Sequence, residues 1–341
     1  MLILLDVIEV LLFLVCILFS VAYLTVAERR TMGYMQRRIG PNIVGYYGLL
    51  QAFADAVKLL IKEIIIPKES NKAILILAPM ITLITALLGW LVVPVGPALT
   101  LGNLENGLLY SLAIGSIGIF GTLLSGWSSN SKYALLGTIR STAALISYEL
   151  ILTTIYIICI IAIGTLNITL FIEYQRALWL LIPFFPLFII FYISTIAETN
   201  RPPFDLVEAE SELVAGFFTE YSGAPFVFFF LAEYSNLIIM CSATTMLFLG
   251  GYLYFPFLSY ILSLFNQYSI LFYIIEGMLY GASFSIKLII LMFTFIWVRA
   301  SFPRFTYDNL IHLCWLILLP LLFGIIIIIP VILYIYNALP L

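Results

Sequence analysis

ILILAPMITLITALLGWLVVPV, residues Ile74–Val95, runs without a single charged side chain. A helix crossing a bilayer needs about 20 consecutive apolar residues, and this stretch supplies them. Outward from it the chain keeps the same character: 63% of its 341 residues are hydrophobic and 10% charged, with a mean hydropathy of +1.15. Soluble domains are about 45–50% apolar and about 25% charged, and a water-soluble fold this apolar would expose larger patches than monomers tolerate. The solvent is lipid. Inside lipid every backbone polar group needs an internal partner, so the choice lies between helices and a closed barrel. A barrel alternates apolar and polar residues in segments of roughly ten. Unbroken runs such as Ile325–Ile329 exclude that alternation. The fold class is therefore all-α, a polytopic membrane protein.

Seven further stretches resemble the first: Leu2–Ala27, Leu104–Leu124, Thr142–Ile163, Ala177–Ile196, Ala224–Gly250, Ser269–Val298 and Ile311–Tyr336. About eight transmembrane helices are predicted, with Tyr252–Phe265 as a re-entrant or interfacial piece. Residues 1–341 read as a single membrane domain with inner loops 28–72, 125–141, 197–223 and 299–310. Thirteen of the 15 Lys and Arg residues fall in those loops; Arg176 lies opposite and Lys287 inside a span. That bias makes the basic loops face the positive-inside compartment and both termini the other side. Leu2–Ala27 is too long for a signal-peptide core and lacks a basic leader, so it reads as a span. Cys16, Cys159, Cys241 and Cys314 each sit alone in apolar runs, without disulfide or metal spacing. His312 is the sole histidine. A haem pair needs more axial ligands than that, and no metal site is expected.

The inner loops carry the chemistry. In the first, Leu49–Ile64 reads as an amphipathic helix. Gln51, Asp55, Lys58 and Lys62 form one stripe, Phe53, Val57, Leu60 and Ile64 the other, and Pro67 stops it. Such a helix lies in the membrane interface, where it also offers a doorway for a lipid-like substrate. The third loop, AETNRPPFDLVEAESELVAGFFTEYSGAPF, sets Glu198, Asp205, Glu208, Glu210, Glu212 and Glu220 against Arg201, a local formal charge of −5. Asp205 and Glu208 fit a capping box. Crowded carboxylates titrate as a group with some pKa values raised, which is what a proton relay needs; a solvated acidic loop is the alternative. The spans themselves hold Glu149, Glu233, Glu276 and Lys287. Intramembrane charges are costly and serve a function by default. Glu149 and Glu233 fall roughly 10–14 Å from the inner side at 1.5 Å per residue, extending the acids toward the midplane. Lys287 reads as ion-paired with Glu276 or another acid. The last loop, VRASFPRFTYDNLIH, joins Arg299 and Arg304 to aromatics able to hold a ring or a partner subunit.

ERRTMGYMQRRIGPNIVGYYGLLQAFADAVKLLIKE, AETNRPPFDLVEAESELVAGFFTEY and RASFPRFTYDNL resemble the signature segments of the subunit 1 family of mitochondrial complex I, NADH:ubiquinone oxidoreductase, the fungal members in particular. The resemblance spans essentially the whole chain. It implies a proton-translocating core membrane-arm subunit of the mitochondrial inner membrane, with both termini in the intermembrane space and the basic loops on the matrix side. It implies that the chain binds no cofactor and takes ubiquinone as substrate, with iron–sulfur clusters and FMN in partner subunits. Arg29, Arg38, Asp55, Lys58, Phe230, Arg299 and Arg304 match positions lining or shaping the quinone channel. Glu198, Asp205, Glu208, Glu210, Glu212 and Glu220 match the coupling loop, and Glu149 and Glu233 the acids leading toward antiporter-like subunits. Ala209, Thr306 and Asn309 depart from the usual Gly, Arg and Gln. The alternatives are a homologous, quinone-independent subunit of a membrane-bound hydrogenase and a stand-alone secondary transporter. The long first loop argues against the former; the missing pair of Gly/Pro-broken spans argues against the latter.

Overall fold

A computed structural model of the chain describes residues 2–97, 99–205, 215–254 and 270–337. Among them the architecture is all helical, with one isolated bridge between Gly96 and Leu99. In chain order the α-helices are α1 Leu2–Met35, α2 Gln51–Ile61, α3 Lys72–Gly89, α4 Gly107–Ser129, α5 Lys132–Ile163, α6 Ile168–Tyr174, α7 Phe185–Glu198, α8 Ala224–Phe248, α9 Ile270–Ser301, α10 Tyr307–His312 and α11 Leu319–Ile335. A π-helical turn, Leu313–Leu318, fuses α10 and α11 into one element, Tyr307–Ile335, long enough to span. Seven of the described helices are long and apolar enough to cross a membrane, and Phe185–Glu198 is a shorter apolar eighth.

The predicted fifth span, Ala177–Ile196, is where hydropathy and structure differ. Only α7 is helical there, and its 14 residues reach roughly 21 Å at 1.5 Å per residue, short of a core about 30 Å thick. Pro183 and Pro186 explain the short reach, since proline removes an amide donor and clashes with the preceding turn. The irregular stretch before α7 is tolerated because protein supplies its partners. Leu181 N donates to Phe248 O (3.0 Å), and Gln175 Nε2 donates to Met246 O (2.8 Å). Both acceptors are carbonyls at the C-terminal end of α8, which a helix leaves orphaned.

The same helix end settles Lys287. The expected pairing with Glu276 is not made: Glu276 instead accepts from Tyr280 Oη (3.2 Å). Lys287 Nζ donates to the carbonyls of Leu249 (2.7 Å), Gly251 (3.0 Å) and Leu253 (2.5 Å). It also lies 4.3 Å from the centre of the Trp179 ring. A helix C-terminus carries partial negative charge, so three converging carbonyls and a π-face replace the carboxylate. Tyr252 and Leu253 are buried beside them, while residues 255–265 of the predicted re-entrant piece lie outside the described residues.

α1 continues through Glu28, Arg29 and Arg30 to Met35, so the first inner loop begins well after residue 28. The amphipathic helix is confined to Gln51–Ile61; Lys62 is already extended, which takes Lys62 and Ile64 off the predicted stripes. Gly48, at φ +70, must be glycine, because a Cβ there would sit 2.3 Å from Pro41 O. Phe53 meets Phe19 and Tyr23 of α1 edge-on. Val57 and Leu60 face outward, as a helix bathed in acyl chains requires.

α4 packs on α3 and α5, α3 packs on α8, α7 and α11 pack on α5, and α1 packs on α8 and α9. Lipid tails are as apolar as leucine, so close approach of small residues holds such helices together. A Cβ on Gly121 of α4 would meet Thr82 Cγ2 at 2.3 Å and Ala78 O at 3.2 Å. Gly121→Val should therefore separate α3 from α4 at a cost of about 1–3 kcal/mol for overpacking. Thermal unfolding in mild detergent checks this, with Gly324→Ala, whose added methyl meets nothing within 4 Å, holding the wild-type midpoint.

Candidate functional site

Glu28 ends the apolar run of α1 and is 4% exposed. Its carboxylate is shared among three elements. Arg299 Nη1, from the end of α9, donates to Glu28 Oε1. Tyr234 Oη of α8 donates to Oε2 (2.7 Å), and Arg201 Nη1 lies 3.7 Å from Oε1. Arg201, 7% exposed, also places Nε 3.2 Å from Glu233 Oε1 and its guanidinium carbon 4.4 Å from the centre of the Tyr234 ring. Burial works against its charge, yet the Arg201 guanidinium is held above its ordinary pKa by Glu233, Tyr234 and Glu28. Buried Arg201 and half-buried Arg299, set between two acids, form an ion-paired hub.

On the far side of Glu233 the interior opens. A cavity of about 150 Å³ is lined by Glu198, Asp205 and Glu233 together with Asn236. A water needs about 10–15 Å³ of such space, so several fit. The room comes from small side chains at helical spacing: Ser111, Gly115, Gly118 and Thr122 on α4, and Thr82, Thr85 and Gly89 on α3. A second cavity of about 50 Å³ shares Glu198, Ser111 and Gly115 with the first and adds Glu149. Glu149 accepts from Ser116 Oγ. Glu198 Oε2 is buried without a hydrogen-bond partner, which fits an acid that hydrogen-bonds to water. Asp205, 3% exposed, lies at the inner mouth, with its Oδ2 3.8 Å from Arg304 Nη2. The two loops bearing that pair are also joined by Phe305 N donating to Pro203 O (2.9 Å) and by the stacked rings of Phe204 and Phe305.

The candidate residues thus divide. Glu149, Glu198, Asp205 and Glu233 line two adjacent cavities that share wall residues. Glu220 is half-buried at the end of a 3-10 turn, Gly216–Glu220, outside that lining. Glu208, Glu210 and Glu212, and with them the capping box, lie outside the described residues. Among the cationic and aromatic candidates, Arg299 joins the hub. Arg29 Nη1 pairs with Asp55 Oδ2 (2.5 Å), tying α1 to α2. Lys58 and Arg38 are exposed, the latter donating to Gln36 Oε1 (2.8 Å). Phe230 belongs to an aromatic row, 4.6 Å from Phe226 and 6.3 Å from Tyr234 between ring centres. Between α1, α8 and α9 a cavity of about 10 Å³ touches Leu24, Glu28, Leu237, Met292 and Arg299. Glu28 and Tyr234 were not among the sequence candidates. The available signal was an acid standing at the end of an apolar run, directly before two arginines. Among the described residues no cluster of three or more His, Cys, Asp or Glu could hold a metal.

Seven membrane-length helices around an acid-lined cavity of water size, beside a hub of ion pairs, define a polytopic α-helical membrane protein. The chain belongs to the NADH dehydrogenase family, whose sequence profile matches residues 8–330. It is 66% identical to NADH-ubiquinone oxidoreductase chain 1 of Yarrowia lipolytica, over 98% of both chains. It is 52% identical to the protein of that name in Podospora anserina, over 99% of this chain and 98% of that one. With the one from Mycosarcoma maydis the identity is 51%, over 99% of each.

Removing the charge of Glu28 would leave buried Arg201 with Glu233 alone and half-buried Arg299 without its carboxylate. Glu28→Gln should destabilise the protein by about 3–5 kcal/mol, the usual cost of breaking one side of a buried pair. Asp55→Asn, in a largely exposed pair, should cost no more than about 1 kcal/mol. Thermal unfolding of both variants in the same detergent gives the comparison; equal losses would remove the distinction between hub and surface pair.

Proposed function

We propose that this chain is a core membrane subunit of respiratory NADH:ubiquinone oxidoreductase, complex I, in the mitochondrial inner membrane. There it admits ubiquinone from the bilayer and couples quinone reduction to proton translocation. One observation carries the reading: Glu233, Asp205, Glu198 and Glu149 border two adjacent cavities, each large enough for water, that share Glu198 in their walls. The printed names of the relatives, NADH-ubiquinone oxidoreductase chain 1, support the complex and its quinone. They favour it over a hydrogenase subunit or a lone transporter. The positive-inside bias supports termini in the intermembrane space and basic loops in the matrix.

In this reading electrons pass from NADH through FMN and iron–sulfur clusters of partner subunits to the quinone, and this chain contributes the electrostatics. Reduction to quinol consumes two electrons and two protons. Negative charge developing near Arg201 and Arg299 competes with Glu28 and Glu233 for those cations. A carboxylate losing its cation becomes easier to protonate. Glu233 faces both Arg201 and the cavity, so a change at the hub becomes a change in proton affinity where water can deliver the proton. Glu198 then passes the change toward Glu149, its like-charged neighbour across the shared space, since two carboxylates in a low-dielectric site do not ionise independently. Glu208, Glu210, Glu212 and Glu220 would supply protons from the matrix side.

The doorway lies where α1, α2 and α8 meet. Arg29–Asp55 anchors α2 beside α1, and Phe53, Phe230 and Tyr234 offer ring faces along the route. Lys58, Arg38 and Arg304 shape its mouth. The space between α1, α8 and α9 is about 10 Å³, so passage of a quinone ring requires those helices to part.

Glu198→Gln should lower NADH-driven proton pumping and quinone reduction about tenfold, as a barrier ~1.4 kcal/mol higher would, while the complex still assembles. Wild-type turnover in an assembled variant sinks the relay. Glu212→Gln should act in the same direction. Phe230→Ala should raise the apparent KM for quinone several-fold with kcat less affected; loss of assembly alone would make Phe230 structural.

A further inference from the structure

The acids near the inner side account for half of a route across the membrane. The second cavity continues outward from Glu149, past Ser111 and Tyr156, to Val92, Leu108 and Ile168. Those three are 3%, 2% and 4% exposed. On their outer side lies a recess at the outer ends of α4 and α6, which shares Val92 and Ile168 with the cavity and adds Asn103, Asn167 and Thr169. Its polar groups are joined: Asn167 Nδ2 donates to Asn103 Oδ1 (2.9 Å) and Thr169 Oγ1 to Asn167 Oδ1 (2.7 Å). One layer of apolar side chains therefore separates a cavity bordered by a carboxyl group from a polar recess.

We infer that this chain carries its own outward half-path for protons, running from Glu149 to the Asn103–Asn167 recess and closed by a plug of Val92, Leu108 and Ile168. The inference rests on the relay reading of Glu198 and Glu149. The recess itself has no room for a water in this arrangement, but Asn103 on its rim is exposed. An apolar constriction between a wet cavity and an exposed polar surface gates by excluding water. Shut, it holds the proton gradient; wetted, it connects Glu149 with the outer phase. The step moves a proton from protonated Glu149 through water to the recess and leaves a carboxylate that Glu198 recharges. No electron takes part.

Two features suit the plug to opening. Ile168 begins α6, a helix that follows Gly164 at φ +84. Its first turn is held by Asn167, which accepts from Thr169 N (2.9 Å), a local restraint that lets Ile168 and Asn167 move together. Gly107 lies directly against Ile168, where a Cβ would come within 3.2 Å of Cγ1. A bare α4 backbone there lets Ile168 seat without bulk blocking the way behind it.

The test uses the intact complex in phospholipid vesicles. The quinone site is blocked by an inhibitor, a pH gradient is imposed, and its decay is followed with a fluorescent ΔpH dye. NADH oxidation by a water-soluble artificial acceptor reports intact assembly. The double variant Val92→Ala/Ile168→Ala should dissipate the gradient several-fold faster than wild type. Ile168→Thr, which keeps the β-branch but shortens the side chain and brings a hydroxyl into the plug, should act in the same sense even if the double variant assembles poorly. Adding Glu149→Gln to either should restore tightness. Wild-type decay in assembled Ile168→Thr overturns the half-path, and so does a leak that survives Glu149→Gln. Glu198→Gln separates the two ideas: tight plug variants beside a crippled Glu198→Gln sink the outward path alone, whereas a wild-type Glu198→Gln sinks the relay on which it rests.

Discussion

The Glu28 carboxylate, shared by Arg299, Arg201 and Tyr234, is the constraint on which the rest of the interior depends. It joins the inner part of α1, the end of α9, the middle of α8 and the loop after α7. Packing alone would let those elements slide, because lipid-solvated helices gain little from burying apolar surface against each other. Buried charges behave differently. Each needs a partner within a few ångströms, and an unpaired guanidinium at this depth costs several kcal/mol. The hub thus fixes register as much as it adds stability. Because it fixes α8 beside α1, it also sets where Glu233 faces: one oxygen toward Arg201 and the side chain along the cavity wall.

Next to this crowded hub the space for water comes from subtraction. Ser111, Gly115, Gly118 and Thr122 recur at steps of four, three and four along α4, opposite Thr82, Thr85 and Gly89 of α3. One turn further along, Gly121 and Gly126 face Thr82 and Thr138 and are packed to contact. The same residue type thus closes the bundle on one face of α4 and opens it on another. What distinguishes the faces is whether the opposing helix sends a side chain into the gap.

How much of this was legible in the sequence follows from the range of the interactions. Hydropathy marks most spans because insertion into lipid is decided segment by segment. It overran at Ala177–Ile196, where Pro183 and Pro186 are greasy enough to pass a hydropathy window yet stop a helix, and where the partners of the irregular backbone come from α8. Glu149, Glu198, Asp205 and Glu233 were legible as acids in or beside spans. That they border common space was not, since it depends on small residues of two other helices. Glu28 looked like one charge in a basic loop because its partner Arg299 is 271 positions away. Lys287 misled for a sharper reason. Its acceptors are main-chain carbonyls, and a carbonyl has no signature in a sequence, so an acid was expected where a helix terminus does the work.

The two unusual lysine and glutamate environments bear on each other through α8. At its outer end Lys287 gathers the carbonyls of Leu249, Gly251 and Leu253; farther in, Glu233 and Tyr234 meet Arg201. A helix pinned by charge at its outer end and near its middle moves as a rod between the two. The turn that Lys287 holds is also the surface on which α6 rests, since a Cβ on Gly251 would meet Ile172 Cδ1 at 2.6 Å. A shift of α8 set by the charge on Glu233 would therefore reach α6, and with it Ile168, without any polar wire between them. Interiors packed this closely transmit small displacements between discrete arrangements. Under the proposed outward half-path, this packing would let the plug at Ile168 answer mechanically to the state of the hub.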